Sequence, residues 1–171
     1  ELEFMGSRMS RLSLIGILLF GTIGCDQATK HIARDVLQNH ATFSFFDGIV
    51  KFQHAENPGA FLSFGASLSE PVRFAIFTGL VIAFLAWAAF KLFRDRTMNW
   101  AATLGWTLVL AGGVGNVIDR IVKSTVTDFV MVGVGPVRTG VFNVADMAIM
   151  GGIALLLIFG REHAEPAVQK K

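Results

Sequence analysis

Apolar residues in this chain come in long blocks, separated by short polar or glycine-rich stretches. Residues 12–24 form the first block, preceded by Arg8 and Arg11. Residues 71–90 form the second, with only Arg73 near its start and Lys91, Arg94 and Arg96 just after it. Residues 100–118 form the third, opened by Trp100 and Trp106 as candidate interface anchors. It ends in small residues, Ala111, Gly112, Gly113 and Gly115, which permit close helix approach. Residues 142–160 form the fourth, with Gly151 and Gly152 inside. A bilayer needs about 20 apolar residues per helix. The pattern therefore predicts an all-α membrane protein of about four transmembrane helices, near 12–31, 71–90, 100–118 and 142–160.

Residues 40–67 break this pattern. Phe43, Phe45, Phe46, Ile49, Val50 and Phe52 mix with Asp47, Lys51 and His54, and Asp47-Gly48 and Asn57-Pro58-Gly59 read as turns. A small β-rich segment on the membrane surface is expected here, either as a packed cap or as a platform for an extended peptide. Residues 119–140 are a second segment expected outside the membrane, and residues 161–171 a polar, mobile tail. Residues 1–8 read as a cloning remnant before a natural start at Met9 and are left out of the fold. The remaining chain is one domain.

The first block allows two readings. It is short for a span, and its basic start with Thr22-Ile23-Gly24-Cys25 has the look of a lipoprotein signal peptide and lipobox. Alternatively the helix continues through residues 26–30, where Asp26 and Lys30 fall on one face at i,i+4. The span is preferred, because a polytopic protein gains little from a lipid anchor. Lys and Arg divide eight to seven between the two sides of a four-span topology. The group of eight sits in shorter segments hard against span ends, where the positive-inside bias is strongest. Both termini are thus expected in the cytoplasm, with the β segment periplasmic.

Composition agrees with the blocks. Of 171 residues, 53% are hydrophobic and 16% charged, and the mean hydropathy is +0.56, where a soluble domain has about 25% charged residues. A net charge of +2 without basic runs gives no reason to expect nucleic acid. The lone Cys25 excludes an internal disulfide and a cysteine-cluster metal site. The four histidines lack zinc-ligand spacing, and there is no HExxH or GxSxG. No metal or cofactor is expected.

What remains is acidic chemistry around residues 112–146. Asp128 and Asp146 each lie beside an apolar run, Asn116 and Arg120 share a helix face at i,i+4, and Asn143 and Asp146 lie at i,i+3. Polar groups this dense at the ends of spans read as functional. Two carboxyl groups in a partly dry site can share a proton and hydrolyse a peptide by acid–base catalysis. The same residues also allow a proton- or ion-coupled transporter, or a purely structural network. A transporter would hold its acid near the midplane, and a protease would hold both near one surface.

The order of motifs narrows this. DQATK at 26–30, ENPGAF at 56–61, GGVGNVIDR at 112–120, TDF at 127–129 and FNVAD at 142–146 resemble the bacterial lipoprotein signal peptidases, the signal peptidase II family. The resemblance runs through the whole chain from Met9. It implies an inner-membrane aspartyl endopeptidase that removes signal peptides from prolipoproteins carrying a diacylglyceryl-cysteine lipobox, with its site toward the periplasm. The catalytic pair it implies is Asp128 and Asp146. The supporting or substrate-binding residues are Asp26, Lys30, Asn57, Gly59, Asn116, Asp119, Arg120, Asn143 and Ala145. Membrane lipid and globomycin-type inhibitors are the implied partners, and a monomer is expected. Asp26 with Lys30 could equally be a structural ion pair, and Asn57-Pro58-Gly59 a simple turn. Two positions depart from the family pattern: Ser124 stands where Gly is common, and Met147 where Ser is common.

Overall fold

The computed structural model describes residues 2–38, 42–58 and 69–160. Gly59 with the rest of residues 59–68, residues 39–41 and the tail from residue 161 lie outside the described residues. The elements run α1 (Leu2–Leu37), β1 (Phe43–Phe45), β2 (Val50–Asn57), α2 (Glu70–Arg94), α3 (Trp100–Lys123), β3 (Val126–Val134), β4 (Val137–Arg138) and α4 (Val144–Phe159). The expectation of a helical membrane protein with a small β segment holds.

Among the described residues, three stretches are long and apolar enough to cross a membrane: Ser10–Leu37, Phe74–Arg94 and Trp100–Lys123. The fourth expected span is shorter. Asn143 takes the N-cap of α4, so the helix starts at Val144 and has 16 residues, about 24 Å at ~1.5 Å per residue. Helix α1 is continuous through Cys25, as the preferred reading expects, with Cys25 exposed. It is longer than expected at both ends, taking in residues 2–8 and running on to Leu37. Helix α3 runs to Lys123 rather than 118, which places Asp119 and Arg120 in its last turns instead of in a following loop.

Helix α3 is the centre of the bundle. Fourteen of its residues are buried, whereas α1, α2 and α4 present large apolar side chains outward, among them Phe20, Leu80, Phe90 and Leu157. Apolar side chains facing out all round the bundle are what lipid accepts. Lipid also removes the usual hydrophobic drive between helices, so close packing must hold them together. Gly105 and Gly152 supply it. A Cβ at Gly105 would stand 2.9 Å from the Gly152 carbonyl oxygen, and one at Gly152 would stand 2.6 Å from that of Gly105. Only glycine lets α3 and α4 cross this closely. Ile15, Leu85, Ala88, Leu92, Leu110 and Val117 close α1, α2 and α3 into a second core. At the Arg11 end, Nη2 donates to the carbonyls of Leu92 and Asp95 at 3.1 and 3.0 Å, satisfying the last turn of α2.

On α1, Asp26, Lys30, Ala33 and Leu37 are buried. This i, i+4, i+7, i+11 spacing puts them on one face. The polar half of the face meets α3, and Ala33 and Leu37 pack against Phe129 of β3. The strands form one antiparallel sheet in the order β1-β2-β3-β4. The segments expected as separate at 40–67 and 119–140 are therefore one structure, joined by the β2–β3 pairing. Strand β3 runs along one edge of β2, and β1 pairs with the other edge only over residues 50–52.

Candidate active site

Three backbone devices bring the polar residues together. The first is the end of α3. Ser124 closes it in the left-handed conformation, φ 64°, with its N–H donating to the Arg120 carbonyl at 2.8 Å. This conformation favours glycine, so the Ser124 side chain sits there at a cost. The chain reverses at once into β3, and Asp128 is its third residue. The second device is Phe142, whose N–H and carbonyl exchange hydrogen bonds of 2.8 and 2.9 Å with Val130. That bridge lays residue 143 beside residue 128. The third is a capping box at the start of α4. The Asp146 N–H donates to Asn143 Oδ1 at 2.9 Å, and the Asn143 N–H donates to Asp146 Oδ2 at 3.1 Å. An acid at the third position of a helix satisfies otherwise unpaired N–H groups, and here it also fixes the direction of a carboxylate.

Asn143 then spans the two acids. It is fully buried. Its Nδ2 donates to Asp128 Oδ1 at 2.6 Å and, more weakly, lies 3.2 Å from Asn116 Oδ1 and 3.4 Å from the Thr127 carbonyl. Asp128 Oδ2 accepts from Asn57 Nδ2 at 3.2 Å. Asp146 Oδ1 accepts from Asn116 Nδ2 at 2.8 Å. Burial pushes the Asp128 carboxyl up to about 6, the charge of Asp146 adds to the rise, and the amides of Asn57 and Asn143 oppose it. Asp128 is 3% exposed, whereas Asp146 is less deeply buried. The two acids thus sit in different environments, as acid–base division of labour requires.

Below the pair lies Lys30, with no exposed surface. Its ammonium has three protons and meets three acceptors: Asp26 Oδ2 at 2.8 Å, Asn116 Oδ1 at 2.9 Å and Asp119 Oδ2 at 3.1 Å. Asp26 Oδ1 accepts the Ala145 N–H at 2.9 Å, tying α1 to the first turn of α4. That contact needs room. A Cβ at Gly115 would stand 2.6 Å from Asp26 Oδ2, and one at Gly112 would overlap the Ala145 carbonyl. Asp119 Oδ2 also accepts the Thr127 N–H at 3.3 Å, and Lys123 Nζ lies 3.5 Å from Asp119 Oδ1. Arg120 interacts electrostatically with Asp146, Asp128 and Asp119.

The sequence-derived site residues Asp26, Lys30, Asn57, Asn116, Asp119, Asn143, Ala145, Asp128 and Asp146 therefore share one connected network. Arg120 faces the same acids through space, and Gly59 falls outside the described residues. Sequence reasoning did not single out Thr127 or Gln27. The Gln27 amide bridges Asp26 Oδ2 and the Gly115 carbonyl at 3.2 and 3.1 Å. Both stand inside motifs already noticed, DQATK and TDF, and that adjacency was the available signal. Both acids lie at the sheet end of the bundle, Asp128 beyond α3 and Asp146 in the first turn of α4.

The signal peptidase (SPase) II family pattern matches residues 18–160. The lipoprotein signal peptidase of Xanthomonas oryzae pv. oryzae (strain PXO99A) is 33% identical over 159 residues, covering 91% of this chain and 94% of that protein. The lipoprotein signal peptidase of Xylella fastidiosa (strain M12) is 33% identical over 156 residues, covering 89% and 93%. Two bacterial membrane enzymes solved by the in meso method, at 1.9 and 2.3 Å resolution, share the fold. Their TM-scores are 0.75 and 0.77 at 24% and 22% identity, covering 88% and 93% of this chain and 94% of each of theirs. With a matching pattern over most of its length and relatives at this identity, the chain belongs to the signal peptidase II family.

Proposed function

We propose that this chain is an aspartyl endopeptidase that removes the signal peptide from diacylglyceryl-modified prolipoproteins, cutting on the N-terminal side of the lipidated cysteine. Membership of a peptidase family supports the reaction class. The observation that carries the aspartyl mechanism is the position of Asn143, which caps the helix whose third residue is Asp146 and donates to Asp128. One side chain thereby fixes both carboxyl groups relative to each other.

Asp146 acts as the base and Asp128, with its raised pKa, as the acid. The Asp146 carboxylate takes a proton from water as the water oxygen bonds to the scissile carbonyl carbon. Asp128 gives its proton to the carbonyl oxygen. The resulting diol collapses as the C–N bond breaks, with the proton on Asp146 passing to the leaving nitrogen. The diol hydroxyl returns a proton to Asp128. Asn116, held by Lys30, keeps Asp146 oriented.

The protein works in the bacterial inner membrane with both termini cytoplasmic and the sheet periplasmic, and globomycin-type peptides occupy the same site. Replacing Asp128 or Asp146 by Asn tests the mechanism. Each change keeps the shape but removes proton transfer, and each lowers turnover of a diacylglyceryl-prolipoprotein at least ~100-fold. The double variant is little worse, because the pair acts as one unit. Either single variant keeping more than a tenth of wild-type turnover refutes the pair.

A further inference from the structure

A second polar cluster lies against β3, on the face opposite Asp128, and the acid–base reading leaves it without a role. Thr127 Oγ1 is its hub, and Thr127 is fully buried. The hydroxyl accepts from Arg34 Nη1 at 3.0 Å and from Lys123 Nζ at 3.1 Å, and donates to Glu56 Oε1 at 3.0 Å. A hydroxyl has one proton and two lone pairs, so all three are committed. Glu56 Oε2 accepts from Thr125 Oγ1, and His54 Nε2 lies 3.0 Å from Glu56 Oε1. Residues from α1, α3, β2 and β3 thus converge on one carboxylate and one hydroxyl. Partial burial pushes the Glu56 carboxyl up, but the hydroxyls of Thr125 and Thr127 and the charge of Lys123 outweigh it and hold the group below the ordinary glutamate value.

Its place in the sheet gives this cluster a consequence for the acids. The β2–β3 ladder is interrupted between Phe52 and Ala55 and resumes for only three pairs: Ala55 with Asp128, Glu56 with Thr127 and Asn57 with Val126. These three pairs carry Asn57 to its hydrogen bond with Asp128. Glu56 bonds the side chains of two threonines across that short ladder. We propose that Glu56, through Thr125 and Thr127, is a positioning residue that clamps the site end of β2 to β3 and so holds Asn57 on Asp128. This rests on the reading of Asp128 and Asp146 as the acid–base pair.

The test compares wild type with Glu56→Ala, Glu56→Gln, Asn57→Ala and the Glu56→Ala/Asn57→Ala double variant, using a purified diacylglyceryl-prolipoprotein. Glu56→Ala lowers kcat about tenfold with KM within about twofold, since losing a hydrogen bond to a charged group has about that effect. Glu56→Gln keeps one acceptor oxygen and loses less. Asp128 is also faced by Asp146, by Lys30 of α1 and by Arg120 of α3, all unchanged in these variants. Because Asn57 donates to the ionised form of Asp128, loosening it raises the pKa of Asp128. The alkaline limb of the pH–rate profile therefore moves to higher pH in Glu56→Ala. The double variant matches Asn57→Ala alone, because Glu56 acts through Asn57. Additive losses in the double variant, an unmoved alkaline limb, or wild-type kcat in Glu56→Ala overturn the clamp while leaving the acid pair intact. Wild-type turnover in an Asp128→Asn control overturns the pair, and the clamp with it.

Discussion

Replacing Lys30 by Met is the most severe perturbation the site offers. Met keeps much of the stem's volume and deletes the charge. The ammonium is fully buried and has contacts of 2.8, 2.9 and 3.1 Å with Asp26, Asn116 and Asp119. Its removal leaves the carboxylates of Asp26 and Asp119, themselves 0% and 1% exposed, facing each other without a cation between them. Breaking a buried pair from one side costs about 3–5 kcal/mol. Here one cation serves two acids, but Lys123 stays 3.5 Å from Asp119 Oδ1, so the middle of that range applies. At about 2–4 °C per kcal/mol for a chain of this size, melting falls by ~8–16 °C. The assay is thermal unfolding of purified protein in detergent, beside cleavage of a prolipoprotein. Activity falls too, because Asn116 loses the partner that orients its amide toward Asp146. Adding Asp119→Asn to Lys30→Met removes one stranded charge and recovers part of the melting loss. A Lys30→Met protein that melts within 2 °C of wild type and cleaves normally would refute the account of this network.

Asp128 makes an opposite prediction for stability. Its folded pKa, about 6 against an ordinary 3.8, means the folded state binds this proton more tightly than the unfolded chain. The stability it contributes is fully present below pH ~4 and is lost as the pH rises through ~6. The gap corresponds to about 3 kcal/mol, so Asp128→Asn should melt higher than wild type at pH 7.5, with the difference vanishing by pH 4; equal melting at both values contradicts it. Ser124 sits at φ 64°, where a side chain costs about 1–2 kcal/mol and glycine's extra unfolded freedom offsets ~0.5–1 of it. Ser124→Gly should therefore stabilise by about 0.5–1 kcal/mol in a denaturation series without changing kcat, and a loss of stability would count against strain at that cap. Reporter fusions after Arg94 and after Asp47 should report opposite sides of the membrane, and finding Arg94 outside would reverse the proposed orientation.

Much of this protein is legible in the order of its residues. Apolar blocks mark the helices because lipid demands long uninterrupted runs with internally satisfied backbone. Asp26 and Lys30, and likewise Asn143 and Asp146, announce themselves by spacing, since residues three or four apart on one helix must meet. Five short motifs in order carry the family. Spacing along the chain says nothing about which helix face meets which strand. Lys30 lies 86 residues from Asn116, and Ala145 lies 119 from Asp26; only the close crossing of α3 with its neighbours, permitted by glycine, makes them partners. The start of α4 moved to Val144 because Phe142 is spent on pairing with β3 and Asn143 on capping, and neither use is written in local propensity. The link between Glu56 and Thr127 depends on the register of β2 against β3. A slip of one residue would turn each side chain to the other face, so the sequence offers the residues and the tertiary structure alone decides that they touch.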